Sequence, residues 1–350
     1  MKIILLLITV EVYINLIYQS AAYNSGWHQK VRFRRRRASE SNDINNPCNY
    51  TAPIKPNFSA PNRRISEVSL LWRQKQPGPS YVPVVIGGRN TETGEFPHMG
   101  AIGWRAAVGT WIFKCGSSLI SSKFLLTAAH CSRVSSSDAS VANPVPEIVR
   151  LGDKNIIDVY SKNVFPQEVR IKRIINHPNF KPPKKYFDVA LIELVDEVVF
   201  TRFVQPACLC SKFNTHELGK KAIVTGWGIV ETAGKKRSPE LQAAVVDIIN
   251  SNKCDNLLRR YYSRLWCGVE SHQMCAGKLA GGIDACQGDS GEPLQVKIPL
   301  PTKTQDSMYY VIGVTSFGIG CALPNLPGMY TRVSSVIDWI EDIVWRGLSL

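Results

Sequence analysis

Gly288-Asp289-Ser290-Gly291 sets a serine in a turn bracketed by glycines. Two stretches far upstream supply what such a serine needs in order to react: Thr127-Ala128-Ala129-His130-Cys131 and Asp188-Val189-Ala190-Leu191. A serine hydroxyl is a poor nucleophile until a histidine takes its proton. That histidine in turn needs a buried carboxylate to fix its tautomer and stabilise the imidazolium. The residue types point to nucleophilic acyl transfer, in the chain order His, Asp, Ser. Alone, each has a plain structural reading, a serine in a glycine turn or a core histidine. It is their roles together that single them out.

Working outward, the chain has 350 residues, room for two domains or for one large all-β domain with an extension. Residues 1–22 read as a signal peptide: Lys2, the apolar run from Ile3 to Val10, and Ser20-Ala21-Ala22 as a small-residue cleavage site. The competing reading, a signal anchor, needs a longer uninterrupted apolar run than Glu11 leaves. The net charge of +14 is uneven, because residues 1–84 hold 12 Lys and Arg against 4 acids. Basic residues interleaved with aromatics, the mark of a nucleic-acid surface, are missing from the sequence, and no nucleic-acid or membrane partner is expected.

Residues 23–84 combine Pro, Asn, Ser and Arg with little periodicity and read as a largely irregular prosegment or light chain. Arg34–Arg37, before Ala38, is either a furin-type processing site or a solvated basic run. Asn49-Tyr-Thr51 and Asn57-Phe-Ser59 are glycosylation sequons. Beyond residue 85, short β-branched and aromatic runs separated by turn residues indicate an all-β body: Val149–Leu151, Val189–Leu194, Ala222–Thr225, Ala243–Ile249 and Tyr309–Thr315. The ending differs. Val336, Ile337, Trp339, Ile340, Ile343 and Val344 have helical spacing, with Ser335 expected as the cap and Asp338 three positions on.

From Val85 onward, about three quarters of the chain resembles the trypsin/chymotrypsin-type (S1) serine proteases, and most nearly the arthropod snake-like cascade proteases. The resemblance rests on the three active-site stretches and on further blocks in the family's order: Val85-Ile-Gly-Gly88, Cys115-Gly-Ser-Ser-Leu119, Val149-Arg-Leu-Gly152, Val224-Thr-Gly-Trp-Gly228, Met274-Cys-Ala-Gly277 and Pro327-Gly-Met-Tyr330. It implies two packed six-stranded antiparallel β-barrels with a C-terminal helix. With one cysteine, residues 23–84 lack the six-cysteine clip domain that such proteases usually carry.

Ten cysteines in a chain routed for secretion imply disulfides rather than metal thiolates. The resemblance implies the pairs Cys115–Cys131, Cys254–Cys275 and Cys286–Cys321, and makes Cys48 the natural partner of Cys208. Cys210 and Cys267 are left unplaced. Four cysteines outside the first three pairs allow three connectivities.

By the same resemblance His130 is general base and then general acid, Asp188 its orienting partner and Ser290 the nucleophile, with Gly288 and Ser290 giving the oxyanion-hole amides. Asp284 matches the base of the primary pocket, with Ser316, Gly318 and Gly328 along its walls. Ala285, where trypsins usually have serine, favours a guanidinium, which reaches a carboxylate bidentately, and so Arg over Lys. A new amine at Val85 is expected to pair with Asp289 after the Val84–Val85 bond is cut. An Arg-specific enzyme cannot cut after Val84, so an upstream elastase- or chymotrypsin-like protease is implied.

Lys181, Lys184 and Lys185 border the substrate's upstream residues, either as an acid-selective rim or as a solvated loop. The Ser-rich stretch between Cys131 and Val149 implies narrowed specificity. Lys235-Lys-Arg237 is open among a nick site, an anion patch and a solvated run. The loop opening with Asp153 lacks the second acid of a calcium site, and no metal or organic cofactor is expected. Two residues depart from the family pattern: Glu292 where the second glycine after the serine is usual, and Phe317 where most relatives have Trp. An unpaired buried carboxylate at Glu292 would be costly, whereas a solvent-facing one would matter little.

The resulting expectation is a secreted serine endopeptidase made as a zymogen, cutting protein substrates after Arg in an extracellular cascade or venom and restrained by a serpin-type inhibitor. The alternative is a catalytically weak or silent homologue that binds partners.

Overall fold

Short apolar runs bounded by turns pair antiparallel and close on themselves twice. The computed structural model describes residues 88–157, 166–214, 218–231, 236–282, 289–298 and 308–345. The readings of residues 1–84 and the boundary at Val85 lie outside them.

The first barrel runs β2 (Met99–Arg105), β3 (Trp111–Leu119), β4 (Phe124–Thr127), β7 (Ala190–Leu194), β6 (Gln167–Asn176) and β5 (Ile148–Leu151), and closes from β5 back to β2. All five residues of β7 are buried, so its apolar run is continuous rather than alternating. Its one charge, Glu193, takes hydrogen bonds from Lys172 and Arg173 on β6. Ile102, Leu119, Leu125, Leu126, Val149, Leu151, Leu191 and Ile192 fill the interior at zero exposure. Fully burying each such side chain is worth about 1.5–3 kcal/mol.

The second barrel runs β12 (Gln242–Ile249), β13 (Gln273–Gly277), β16 (Gly328–Arg332), β15 (Met308–Phe317), β14 (Pro293–Ile298) and β9 (Lys221–Gly226), and β9 returns to β12. Strand β1 (Arg89–Asn90) adds to β12, and β8 (Cys208–Leu209) lies parallel to β15. Val224, Val246, Met274, Leu294, Ile312 and Tyr330 form its core. A short ribbon, β10 (Ile229–Glu231) with β11 (Lys236–Arg237), stands apart.

Between β12 and β13 of the second barrel comes α1 (Ser251–Leu258), capped by the Asn250 side chain on the amides of Asn252 and Lys253, and at the end comes α2 (Ile337–Val344). Val336, Ile340 and Val344 of the terminal segment are buried against the first-barrel core, which explains their helical spacing. Ser335 does not cap α2. It lies in a 3-10 turn and its hydroxyl donates to the Arg332 carbonyl at 2.6 Å. Here the turn leaving β16 claims the hydroxyl before the helix begins.

Disulfides join Cys115 to Cys131 and Cys254 to Cys275, the second tying α1 to β13. Cys267 and Cys321 are also disulfide-bonded; Cys286 and Cys48 lie outside the described residues. Cys208 corrects the expected bridge to Cys48, since it carries a free thiol, as does Cys210. The half-buried Cys208 sits on the short strand that β15 holds in place, while Cys267, unplaced from sequence, is the one that is bonded. Among the described residues no helix is long and apolar enough to cross a membrane.

Candidate active site

His130 follows β4 directly, in the 3-10 turn Ala129–Ser132. The turn is held beneath by the Cys115–Cys131 disulfide and by Ala128, fully buried. This leaves the His130 side chain at the surface, 38% exposed, with Asp188 behind it. The Asp188 carboxylate takes two bonds from the same residue: Oδ1 accepts from the His130 backbone amide at 2.9 Å, and Oδ2 lies 2.7 Å from Nδ1. With a carboxylate on Nδ1, the proton belongs there, and Nε2 is left to act as a base.

Asp188 is held from the second barrel as well. Ser316 Oγ donates to its Oδ2 at 2.5 Å, and Thr331 Oγ1 donates to its backbone carbonyl at 2.8 Å. Burial alone would raise this carboxyl's pKa. The His130 charge and the hydrogen bonds from His130 and Ser316 outweigh burial and hold it below the ordinary aspartate range. A buried, ionised aspartate with each oxygen engaged is what an orienting carboxylate requires.

Ser290 enters on the turn before β14. Its carbonyl accepts from the Gly116 amide at 2.9 Å, and the Gly291 amide donates to Thr315 at 2.9 Å. Gly291 has φ +80°, and a Cβ there would collide with Thr127 Oγ1, with the Gly116 carbonyl at 2.6 Å and with the Ala128 amide at 3.1 Å. Only glycine lets the serine turn approach the segment that carries His130. Ser290, half-buried, is thus pinned to both barrels.

The residues flanking the serine are buried. Asp289 Oδ1 accepts from the Gly228 amide at 2.8 Å, and Glu292 Oε1 accepts from the adjacent Trp227 amide at 3.1 Å. Glu292 is 1% exposed. It points neither to solvent nor into an apolar wall: its side chain occupies space left open by Gly116 and Gly226.

Lys185 Nζ stands 4.3 Å over the Phe317 ring, which also meets Trp266 edge-on at 5.6 Å. Lys181 and Lys184 are exposed. Gly318 is exposed beyond Phe317, and Gly328 is buried where β16 pairs with Ala276. Ser316, expected among the substrate-binding residues, turns its hydroxyl to Asp188. Asp284, Ala285 and Gly288, with Val84, Val85, Asn49 and Asn57, lie outside the described residues.

Thr331, Gly116 and Thr127 complete the scaffold. Gly116 and Thr127 stand in the family's blocks but carry no role there, and none of the blocks includes Thr331, because these contacts cross between strands. Cys115, His130 and Cys131 also lie close enough to resemble metal ligands, but the two sulfurs are bonded to each other. Asp153, buried, pairs with Arg150 at 3.7 Å.

The Trypsin family model matches residues 85–340. The chain is 36% identical to serine protease snk of Drosophila melanogaster over 297 residues, 83% of this chain and 63% of that protein. It is 34% identical to serine protease Hayan of the same fly, covering 88% of this chain and 47% of that protein, and 34% identical to phenoloxidase-activating enzyme 1 of Spodoptera litura, covering 74% and 67%. The chain thus spans less than two thirds of the length of the first two relatives. With the strand order of both barrels, and with His130 on Asp188 beside the Ser290 turn, these matches show that the chain belongs to the trypsin family of serine proteases.

Proposed function

We propose that the protein is a secreted serine endopeptidase, made as a zymogen, which hydrolyses protein substrates after Arg, and after Lys less well. The observation that carries the reading is the doubly bonded Asp188–His130 pair beside a serine turn that glycine alone can bring so near.

In the reaction, His130 Nε2 takes the Ser290 hydroxyl proton as Oγ attacks the scissile carbonyl. Asp188 stabilises the imidazolium without taking the proton. The carbonyl oxygen gains the negative charge, and the amides of Ser290 and Gly288 are assigned to it; losing one such donor typically costs about 2.7–4 kcal/mol. His130 then gives its proton to the leaving amine. Water, activated by the same imidazole, cleaves the acyl-enzyme and restores Ser290.

The preference for Arg rests on Asp284 and Ala285, and the zymogen on Val85 and Asp289. The Pro83-Val84-Val85 sequence supports activation by an elastase- or chymotrypsin-like protease. Relatives named as a phenoloxidase-activating enzyme and as a venom serine protease of Bombus ignitus support an extracellular cascade or venom setting, and a serpin-type inhibitor fits it.

The test is the Val84→Arg zymogen, activated with trypsin, freed of it and titrated with an active-site serine reagent, with Ser290→Ala as control. Stoichiometric labelling and fastest hydrolysis of Arg esters over Lys, Phe and Ala esters is the expected result. Absence of labelling after confirmed cleavage before Val85 would overturn it in favour of a binding homologue.

A further inference from the structure

The residue before Asp188 has a backbone that its side chain should resist. Phe187 has φ +53°, the left-handed region, where a residue with a bulky side chain is an outlier. Such strain persists only where the surroundings over-determine it, and an observed outlier is a legitimate lead to function.

The surroundings are two imidazoles. The Phe187 ring is stacked between His177, with centroids 4.9 Å apart and planes 8° apart, and His272, at 3.8 Å and 10°. The two histidines come from different barrels: His177 follows β6 in the first, and His272 precedes β13 in the second. Phe187 therefore sits in the seam between the barrels.

Both histidines are tied to the backbone around Asp188. The His177 amide donates to the carbonyl of Val189, and the Val189 amide donates to the Phe187 carbonyl at 2.8 Å, making a tight turn centred on Asp188. The His272 carbonyl accepts from Arg332, next to the Thr331 that bonds the Asp188 carbonyl. His177 Nδ1 accepts from the Asn179 amide at 3.2 Å, and Trp339 of α2 closes over its other side at 5.0 Å. Burial pushes both imidazoles towards the neutral form, His272 down to about 4 with help from His177. A neutral ring can stay stacked there.

We propose that Phe187, clamped between His177 and His272, is a positioning residue for catalysis: fixing its ring fixes the left-handed backbone that aims Asp188 at His130. The inference rests on the hydrolase reading for its kinetics but not for its geometry. With the ring free, Phe187 relaxes towards negative φ and turns the following carboxylate away from the His130 ring, whereas the distant substrate contacts are untouched. The loss should fall on kcat, not on KM.

The experiment compares the activated wild type with Phe187→Ala, Phe187→Gly, His272→Ala and His272→Phe. It reads kcat and KM on an Arg ester, and also the far-downfield proton resonance of the His130 Nδ1–H bonded to Asp188. Glycine accepts φ +53° without strain but has no ring to clamp, so Phe187→Gly separates the clamp from simple relief of strain.

Expected are kcat losses of about 10- to 100-fold in Phe187→Ala, Phe187→Gly and His272→Ala, with KM within about twofold and the resonance lost. His272→Phe, which can still stack, should stay within about threefold of wild type with the resonance retained. Should His272→Ala fail to fold, His272→Gln, which cannot stack, carries the same expectation. Wild-type kcat together with an intact resonance in Phe187→Ala and Phe187→Gly would overturn the proposal. An inert wild type that still shows the resonance would count against the hydrolase alone, and the resonance would then decide the clamp.

Discussion

The side chain of Glu292 lies where a Cβ on Gly116 would have to go, its Oε1 2.8 Å and its Cδ 2.9 Å from that position. The three nearest atoms to that Cβ all belong to Glu292. The carboxylate is therefore fitted to two glycines on neighbouring segments, and it accepts the Trp227 amide just as Asp289 accepts that of Gly228.

Gly116→Ala should then be overpacked, at a cost of about 1–3 kcal/mol, and this cost should nearly vanish when Glu292→Gly is also present. Urea unfolding of the two single variants and the double variant gives the coupling directly. Additive losses would show that Glu292 is not held against Gly116.

Ser316→Ala removes a 2.5 Å hydrogen bond to the Asp188 carboxylate and leaves the backbone in place. A bond to a charged group is worth about 1.5–3 kcal/mol. Because His130 still holds both carboxylate oxygens, only part of this should reach the transition state. We expect kcat to drop by about 3- to 10-fold with KM unchanged, measured on Arg esters. An equal rise in KM would mean that Ser316 acts on substrate binding, the role expected of it from sequence.

Much of this molecule is written in contiguous residues. His130, Asp188 and Ser290 each stand in a short motif, and the strand runs around Val149, Val189 and Tyr309 have the burial that their composition implies. What escaped the sequence depends on contacts between segments far apart. Ser316 reads only as a substrate-binding residue, and its second contact, the hydroxyl on Asp188 128 positions away, shows once β15 is in place. Glu292 reads as a misplaced charge until Gly116 and Gly226 are seen to make room for it. Cys208, expected in a bridge, keeps a free thiol, while Cys267, left unplaced, is bonded, because cysteine spacing does not fix connectivity. Nothing local marks Phe187, His177 and His272 as a stack, since they meet only where the barrels do.

The three lysines before Asp188 should not be equivalent. Lys181 and Lys184 are exposed, where charges are screened and contribute little. Lys185 is half-buried over Phe317; burial pushes its ammonium pKa down, while the charge of Asp188 opposes this. A charge held on an aromatic ring at the cleft can discriminate between substrates, whereas a solvated one cannot. On peptide libraries varied upstream of Arg, Lys185→Ala should lower kcat/KM for acidic sequences by about 5- to 10-fold, close to the 1–2 kcal/mol of a partly desolvated pair. Lys181→Ala and Lys184→Ala should change it less than twofold. Equal effects from all three would favour a diffuse basic rim.

Acid should weaken the fold through its buried histidines. His98 is 1% exposed beside Phe96 and Tyr309, and burial pushes its imidazole down to about 4 against a hydrogen bond with Gln295. Unfolded, the same ring takes a proton near pH 6.5. Between these values the unfolded chain binds more protons than the folded one, so stability rises with pH across the window. It is fully present above about 6.5, is lost progressively as pH falls towards about 4, and levels off below that. A shift of this size corresponds to at most on the order of 3 kcal/mol from His98, and His272 acts in the same direction. Urea midpoints measured from pH 7.5 to 4 on Ser290→Ala, which cannot digest itself, should trace the slope, and His98→Gln should flatten it. A slope unchanged in His98→Gln would show that this ring is not held neutral by the core.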